Sequence, residues 1–465
     1  MSIQDVKTIY DAIQAKKSRL THLIGYYEGD QPTVYLTQRL REVFRGVDLA
    51  FTENWCSVVV DACKDRISLS GFHVKDAHVQ ALLDAVWGEN EMGIEADDVH
   101  ETALVCGESY LIVWPNEESG EPEAYFNDPR MVEIVYDPGN PRCKLFAGKL
   151  WTAADDTARM TLYYCDHLEY YATTQKIADV SAASAFQPLL AEGENWPVNE
   201  YGCVPVFCFK PNRSKLSDLK NVIPIQNGIN KLLADMIVAA EYGAFRQRWV
   251  ISAAQMEGKV SSQPGEMLQL PPGDGQEQDT AVGEFDVTDL DNYLKAIDNL
   301  STAIGKVTGT PRHYFFSQGG DPSGEALIAM EAPLNKKAQG RIDRFTVVWQ
   351  EVAAFIAQIG GLSIKKMDVT PVFDEPETIQ PKTQAEIIKL QTDAGIPLVT
   401  VLRQAGWSDS EIEQMQKDQK ADKAAGTSMA QAILEQQRVK NEQQNPPAAP
   451  MPMVNQTMPM MQGVK

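Results

Sequence analysis

The densest cluster of potential ligands in the chain is Asp97-Asp98-Val99-His100-Glu101. Carboxylates beside an imidazole can bind a divalent cation, and a metal-dependent nuclease built on Asp97, Asp98, His100 and Glu101 is one reading. The other is the wet face of a helix, since nothing elsewhere repeats the pattern. Asp166-His167 has no identifiable nucleophile near it in sequence, so it makes no triad. Gly305-Lys306 lacks both the preceding glycine and the following Ser/Thr of a phosphate-binding loop, and it falls inside a helical pattern. Neither GxSxG nor HExxH occurs. A different chemistry is offered by Arg312-His313-Tyr314-Phe315, with Gln318 just beyond. Cations and aromatics so close together can touch or stack on a polyanion. They can equally plug a core between helices.

The elements around these residues follow from periodicity. Apolar positions Ile9, Ile13, Leu20, Leu23, Ile24 and Tyr27 predict a helix over 2–28, stopped by Gly29. A second helix is expected from Asn54 to Arg66, and a third over 78–107, stopped by Gly107. Short apolar runs separated by turn residues predict a small antiparallel sheet domain or sandwich over 109–210, with a loop over 178–200. Asp218 or Asn221 can cap the next helix, whose stripe is Ile225, Ile229, Leu232, Leu233, Met236 and Ile237. Gly/Pro-rich residues 251–287 then interrupt the helices, and they are acidic: Glu257, Glu266, Asp274, Glu277, Asp279 and Glu284 face the single base Lys259. So long an interruption suits a small subdomain better than a plain loop. Thr288 with Asp291 resembles a capping box for a helix striped by Leu294, Ile297, Leu300 and Ile304 and ended by Gly309. A long helix from about 323 to Gln358 contains Pro333, which predicts a kink. A strand over 368–373 follows, then helical segments broken at Gly395-Ile-Pro397. The Gln/Pro/Met-rich residues 421–465 are expected to be disordered.

The totals limit the function. There are 64 acids against 42 bases, a net charge of −22. A protein that wraps nucleic acid would be basic, so this one does not grip DNA over most of its surface. No apolar run is long enough for a transmembrane helix, and the N-terminus lacks the pattern of a secretory signal. Seven scattered cysteines without a CxxC read as reduced, mostly buried thiols, neither a zinc site nor a disulfide framework. No cofactor is implied.

The order of elements, with Tyr26-Tyr-Glu-Gly-Asp-Gln31, Asn54, Val59-Val60-Asp61, Asp65-Arg66, Gly71-Phe72, Gly107-Glu-Ser-Tyr110, Gly202-Cys-Val-Pro205, Ile225-Gln-Asn-Gly-Ile-Asn230 and Ser323-Gly-Glu-Ala-Leu327, resembles the bacteriophage portal proteins typified by that of Bacillus phage SPP1. The likeness covers roughly 8–415. It implies a non-enzymatic α+β portal fold: an α/β wing (1–220), stem helices (221–250 and 288–309) around a clip (251–287), a tunnel loop (310–322), a long kinked wing helix and strand (323–378) and a helical crown (379–420). It also implies a ring, usually a dodecamer, at one capsid vertex of the virion, assembled in the host bacterial cytoplasm. Double-stranded DNA enters and leaves through the channel. The other partners implied are the terminase large subunit, head-completion or adaptor proteins, and the major capsid and scaffolding proteins, with no membrane. On this likeness Arg312, His313, Tyr314, Phe315 and Gln318 lie near the channel, and the clip acids form a docking surface. The stem stripes meet neighbouring subunits. Another virion ring or adaptor protein is the alternative, although such chains are usually much shorter.

Overall fold

The structure is a computed structural model. It describes residues 2–32, 53–190, 195–244, 248–251, 281–284, 289–315, 324–376 and 388–404, with Ile412, 415–417 and Lys420. Contacts divide the chain into two units, Met1–Thr378 and Ile379–Lys465.

The first unit mixes helices and antiparallel sheets. Helix α1 (Ser2–Glu28) is long enough to serve two cores. Its first half, through Val6, Ile9, Tyr10 and Ile13, packs on Phe146, Leu150, Met160 and Leu162. Its second half, through Leu20, Leu23 and Tyr26, joins the main core. Then come α2 (Trp55–Lys64), β1 (Leu69–Val74), α3 (Ala77–Glu89) and α4 (Met92–Cys106). The single helix expected over 78–107 is therefore two. Glu91 takes a left-handed backbone, φ 49°, and turns the chain between them.

A three-stranded sheet of β2 (Ser109–Pro115), β3 (Pro122–Asn127) and β9 (Val206–Phe209) has the order β3-β2-β9. β2, over its first five residues, and β9 are buried on both faces, because their residues alternate between two cores. Leu111, Val113, Phe207 and Phe209 point to the helices, whereas Tyr110, Ile112, Val206 and Cys208 point to the second sheet. That explains why these segments read as continuous apolar runs. The second sheet is a meander of β4 (Val132–Tyr136), β5 (Lys144–Thr152), β6 (Thr157–Tyr163), β7 (Leu168–Lys176) and the short β8 (Gln187–Pro188). α1 crosses it so closely that a Cβ on Gly148 would overlap Ile9. Strand β3 was not expected, and β8 falls inside the segment read as loop.

Helix α5 (Ile223–Ala244) is followed by β10 (Arg248–Ile251), which pairs antiparallel with β11 (Ala281–Glu284). The chain returns in α6 (Asp291–Thr308). This two-stranded ladder lies between the two helices in chain order, and Gly228 early in α5 meets Leu300 in the second half of α6, so the pair runs antiparallel. Asp291, the second member of the expected capping box, is the first residue of α6. Leu290 occupies the cap position with no side-chain bond, and Asp289 Oδ1 accepts from the Asp291 N–H at 2.9 Å. Thr288 lies outside the described residues.

Helix α7 (Gly324–Ile359) is continuous through Pro333 and is the spine of the main core, through Leu334, Ala338, Phe345, Trp349 and Ile356. β12 (Val369–Phe373) returns to pair with β1. In the second unit, helical residues 388–393 end at Gly395, φ 89°, before α8 (Leu398–Gln404), where Val401 and Leu402 are buried.

Candidate functional site

The residues scattered along the sequence as short motifs converge where α1, α2 and α5 meet. An α-helix leaves its first N–H groups without partners. In α2, the Asn54 side chain accepts from Ser57 N–H at 3.4 Å, and the Trp55 N–H donates to Gln226 Oε1 of α5 at 3.1 Å. Gln226 is buried in full. Its amide nitrogen donates to the carbonyl of Glu53 and to Asn230 Oδ1, the latter at 2.8 Å. Asn230 in turn donates to Gln31 Oε1 at 2.5 Å, and Tyr26 OH donates to Asn227 Oδ1 at 2.6 Å. Asn54 Nδ2 donates to the Tyr27 carbonyl at 2.7 Å, while Tyr27 OH donates to Asp61 at 2.8 Å. One polar network thus fastens the base of α5 to the ends of α1 and α2.

A second joint forms around Arg66, just beyond α2. Its Nε donates to Asn335 Oδ1 at 2.8 Å, its Nη2 donates to Tyr314 OH at 3.0 Å, and the same nitrogen lies 3.2 Å from Glu331 of α7. A planar guanidinium can hold several partners at fixed angles. His313 Nε2 sits 3.3 Å from the other Glu331 oxygen. Phe315 is buried against Trp55, ring centroids 5.3 Å apart. Of the segment expected to meet DNA, Tyr314 and Phe315 are therefore packed inward, His313 is half-buried and Arg312 is exposed. Gln318 lies outside the described residues.

The segment leading into α5 is held from both sides. Asp218, nearly buried, pairs with Lys337 at 2.9 Å and Arg341 at 2.7 Å on α7, where a helix cap was expected. Lys215 and Lys16 alternate with Glu108 and Glu133 in a buried ring of charge, and Lys16 also donates to the Val132 carbonyl at 2.8 Å. Burial alone would push the Glu108 carboxyl up, but Lys16 and Lys215 hold it below its usual value.

The helix stripes are unevenly buried. Ile229, Ile297 and Ile304 are buried, whereas Ile225, Leu232, Met236 and Leu300 are half-buried and Leu294 is 49% exposed. Of the acidic excursion, Glu284 ends β11 with an exposed side chain. Glu257, Glu266, Asp274, Glu277 and Asp279 lie outside the described residues.

The cation-binding reading of 97–101 is corrected. His100 is fully buried, its ring stacked 4.8 Å from Phe345. Its Nε2 accepts from the Trp349 indole N–H at 2.9 Å, so Nδ1 carries the hydrogen and donates to the Ile67 carbonyl at 3.1 Å. Burial lowers its pKa to about 3. Asp97 and Glu101 face Lys64 instead, at 2.6 and 3.8 Å. Among the described residues no group of acids, histidines and cysteines is arranged to hold a metal. His167 lies between Asp166 and Glu169, at 2.7 and 3.3 Å, stacked on Tyr164.

The family model for phage portal proteins of the SPP1 Gp6-like type matches residues 6–425. The chain belongs to this portal family. It is also similar to the portal protein of Mycobacterium phage D29, 24% identical over 420 residues, which is 81% of this chain and 80% of the relative. The portal protein of Mycobacterium phage L5 is 23% identical over 432 residues, 84% of each chain. Portal proteins are structural components of the virion with no catalytic role, and they generally form oligomeric rings with DNA and capsid partners. Among the described residues no helix is long and apolar enough to cross a membrane. Several residues of the two joints stood in the sequence as isolated short motifs, whereas Glu53, Glu331 and Asn335 did not stand out. That they touch one another was not visible there.

Proposed function

We propose that copies of this chain close into a ring at one capsid vertex, and that double-stranded DNA is packaged and ejected through its channel. The observation that carries the reading is the span of the portal family match, 6–425, which includes the antiparallel pair α5 and α6 and every element packed around its base. In this reading residues 1–220 and 323–378 form the wing and 221–250 and 288–309 the stem. Residues 251–287 are the clip, 310–322 the tunnel loop and 379–420 the crown.

Two features support particular roles. The Arg66 joint holds Arg312–Phe315, so a loop leaving Phe315 starts from a fixed point. Arg312 and His313 are then the residues of this segment that passing DNA meets, while Tyr314 and Phe315 anchor it. The excess of acid has a physical use as well. A channel that lets DNA slide cannot grip many phosphates, and repulsion with few cations avoids sticking. The clip acids Glu257, Glu266, Asp274, Glu277, Asp279 and Glu284 serve as the docking surface for the terminase large subunit and later for head-completion proteins. Scaffolding and major capsid proteins meet the outer face.

The test is a phage deprived of its own portal gene and supplied with variants of this one. Reversing several clip acids to lysine is expected to lower the DNA content of heads and the terminase recovered with the portal. Unchanged DNA content and unchanged terminase recovery would remove the role given to these acids.

A further inference from the structure

The seven cysteines separate into two sets by position. Cys56, Cys63, Cys106 and Cys208 are buried, and burial pushes the first three thiols up to about 12, 11 and 12. Thiols so placed are inert. The other three, Cys143, Cys165 and Cys203, all line a single cavity of about 810 Å³. Its walls are the start of β5, the corner between β6 and β7, the turn around Gly202 and the C-terminal end of α7.

The cavity is electropositive. Arg142, Lys144 and Lys366 line it, against one acid, Glu351, which Lys366 partly neutralises at 3.2 Å. Lys144 Nζ donates to the Val206 carbonyl at 2.8 Å and lies 4.3 Å from the centre of the Phe207 ring. Of Cys165 and Cys203, the exposed Cys165 is the thiol more open to attack in such surroundings, whereas burial raises the pKa of the half-buried Cys203 thiol, an effect that Lys144 opposes. The two are also tied together. The Asn199 side-chain amide donates to the Tyr164 carbonyl at 2.7 Å and to the Cys203 carbonyl at 2.8 Å. One amide group therefore holds Cys203 beside the residue that precedes Cys165. Cys165 is exposed and Cys203 half-buried.

We propose that this cavity is a thiol-modification site for small anionic disulfides, in which Cys165 and Cys203 close into an intrachain disulfide. The exposed Cys165, as thiolate, attacks one sulfur of a disulfide such as oxidised glutathione. The reagent's sulfur–sulfur bond breaks and one glutathione leaves, taking up the proton that Cys165 released. The Cys203 thiol then gives up its proton, attacks the Cys165 sulfur and expels the second glutathione, which takes up that proton. Two protein thiols are oxidised and one small disulfide is reduced to two thiols. A reducing cytoplasm keeps the pair open and oxidising surroundings close it. Once closed, the bond pins the Gly202 turn to the β6–β7 corner.

The test is peptide mapping by mass spectrometry after the full chain is incubated with oxidised glutathione and alkylated under denaturing conditions. The expected product is a Cys165–Cys203 cross-linked peptide, formed within one chain and reversed by dithiothreitol. Cys143→Ser keeps that product, Cys203→Ser stops at a glutathione adduct on Cys165, and Cys165→Ser slows the loss of thiols about tenfold or more. Retention of all thiols, adducts placed on Cys143, or cross-links between chains would overturn the proposal.

Discussion

His100 shows how much one side chain can decide in this molecule. It is held neutral, with an indole donor on one nitrogen and a carbonyl acceptor on the other. In the unfolded chain it takes a proton below about pH 6.5, whereas in the folded chain it resists until about 3. Its contribution to stability is therefore complete above about pH 6.5 and is lost as pH falls towards 3, by up to ~1.4 kcal/mol per pH unit. Urea midpoints of the natural chain and of His100→Gln, compared between pH 7 and pH 4, should converge as pH falls; a constant difference would contradict the assignment. The sequence offered His100 as a ligand because residue types carry no depth. Its neighbours Phe345 and Trp349 are distant in the chain, and only folding brings them to it. Asp97 and Glu101, by contrast, are on the wet face that was the other reading, held by Lys64.

At the scale of elements, the hang of α5 rests on Gln226. Replacing it with leucine leaves the Trp55 N–H and Asn230 Oδ1 in a buried setting without their partner. The expected loss of stability is about 2–3 kcal/mol, read from urea unfolding. A change below about 0.5 kcal/mol, the size of an ordinary surface substitution, would show that the network does not hold the joint. Most elements were legible because local signals and tertiary packing agree. Gly29, Gly107, Gly309 and Gly361 end helices in the left-handed backbone, as glycine readily does. The misreadings differ in cause. The split at Glu91 lies between Gly88 and Gly93, but the left-handed residue itself is a glutamate, a type that seldom takes that backbone. The role of Asp218 is set by Lys337 and Arg341 on a helix far away in sequence. The hydrogen-bond network was illegible for the same reason, since each of its polar residues looks ordinary until the others arrive.

As a whole molecule, the chain carries apolar surface that its own fold does not cover. Half-buried Leu232, Leu233, Met236 and Ile237 run along α5, with Leu294 and Val307 about half exposed on α6. Elsewhere on the same helices Ile229, Ile297 and Ile304 are buried. Apolar side chains left partly exposed on a helix pair call for neighbours beside it, and the proposed ring supplies them from identical copies. In the proposed ring a net charge of −22 on each chain suits a channel that guides DNA without holding it. The central claim is the ring, and electron microscopy of the negatively stained, purified full chain tests it most directly. Closed rings with a central hole are expected, whether or not every ring has the same number of subunits. A field of monomers at concentrations where portal rings assemble would contradict it.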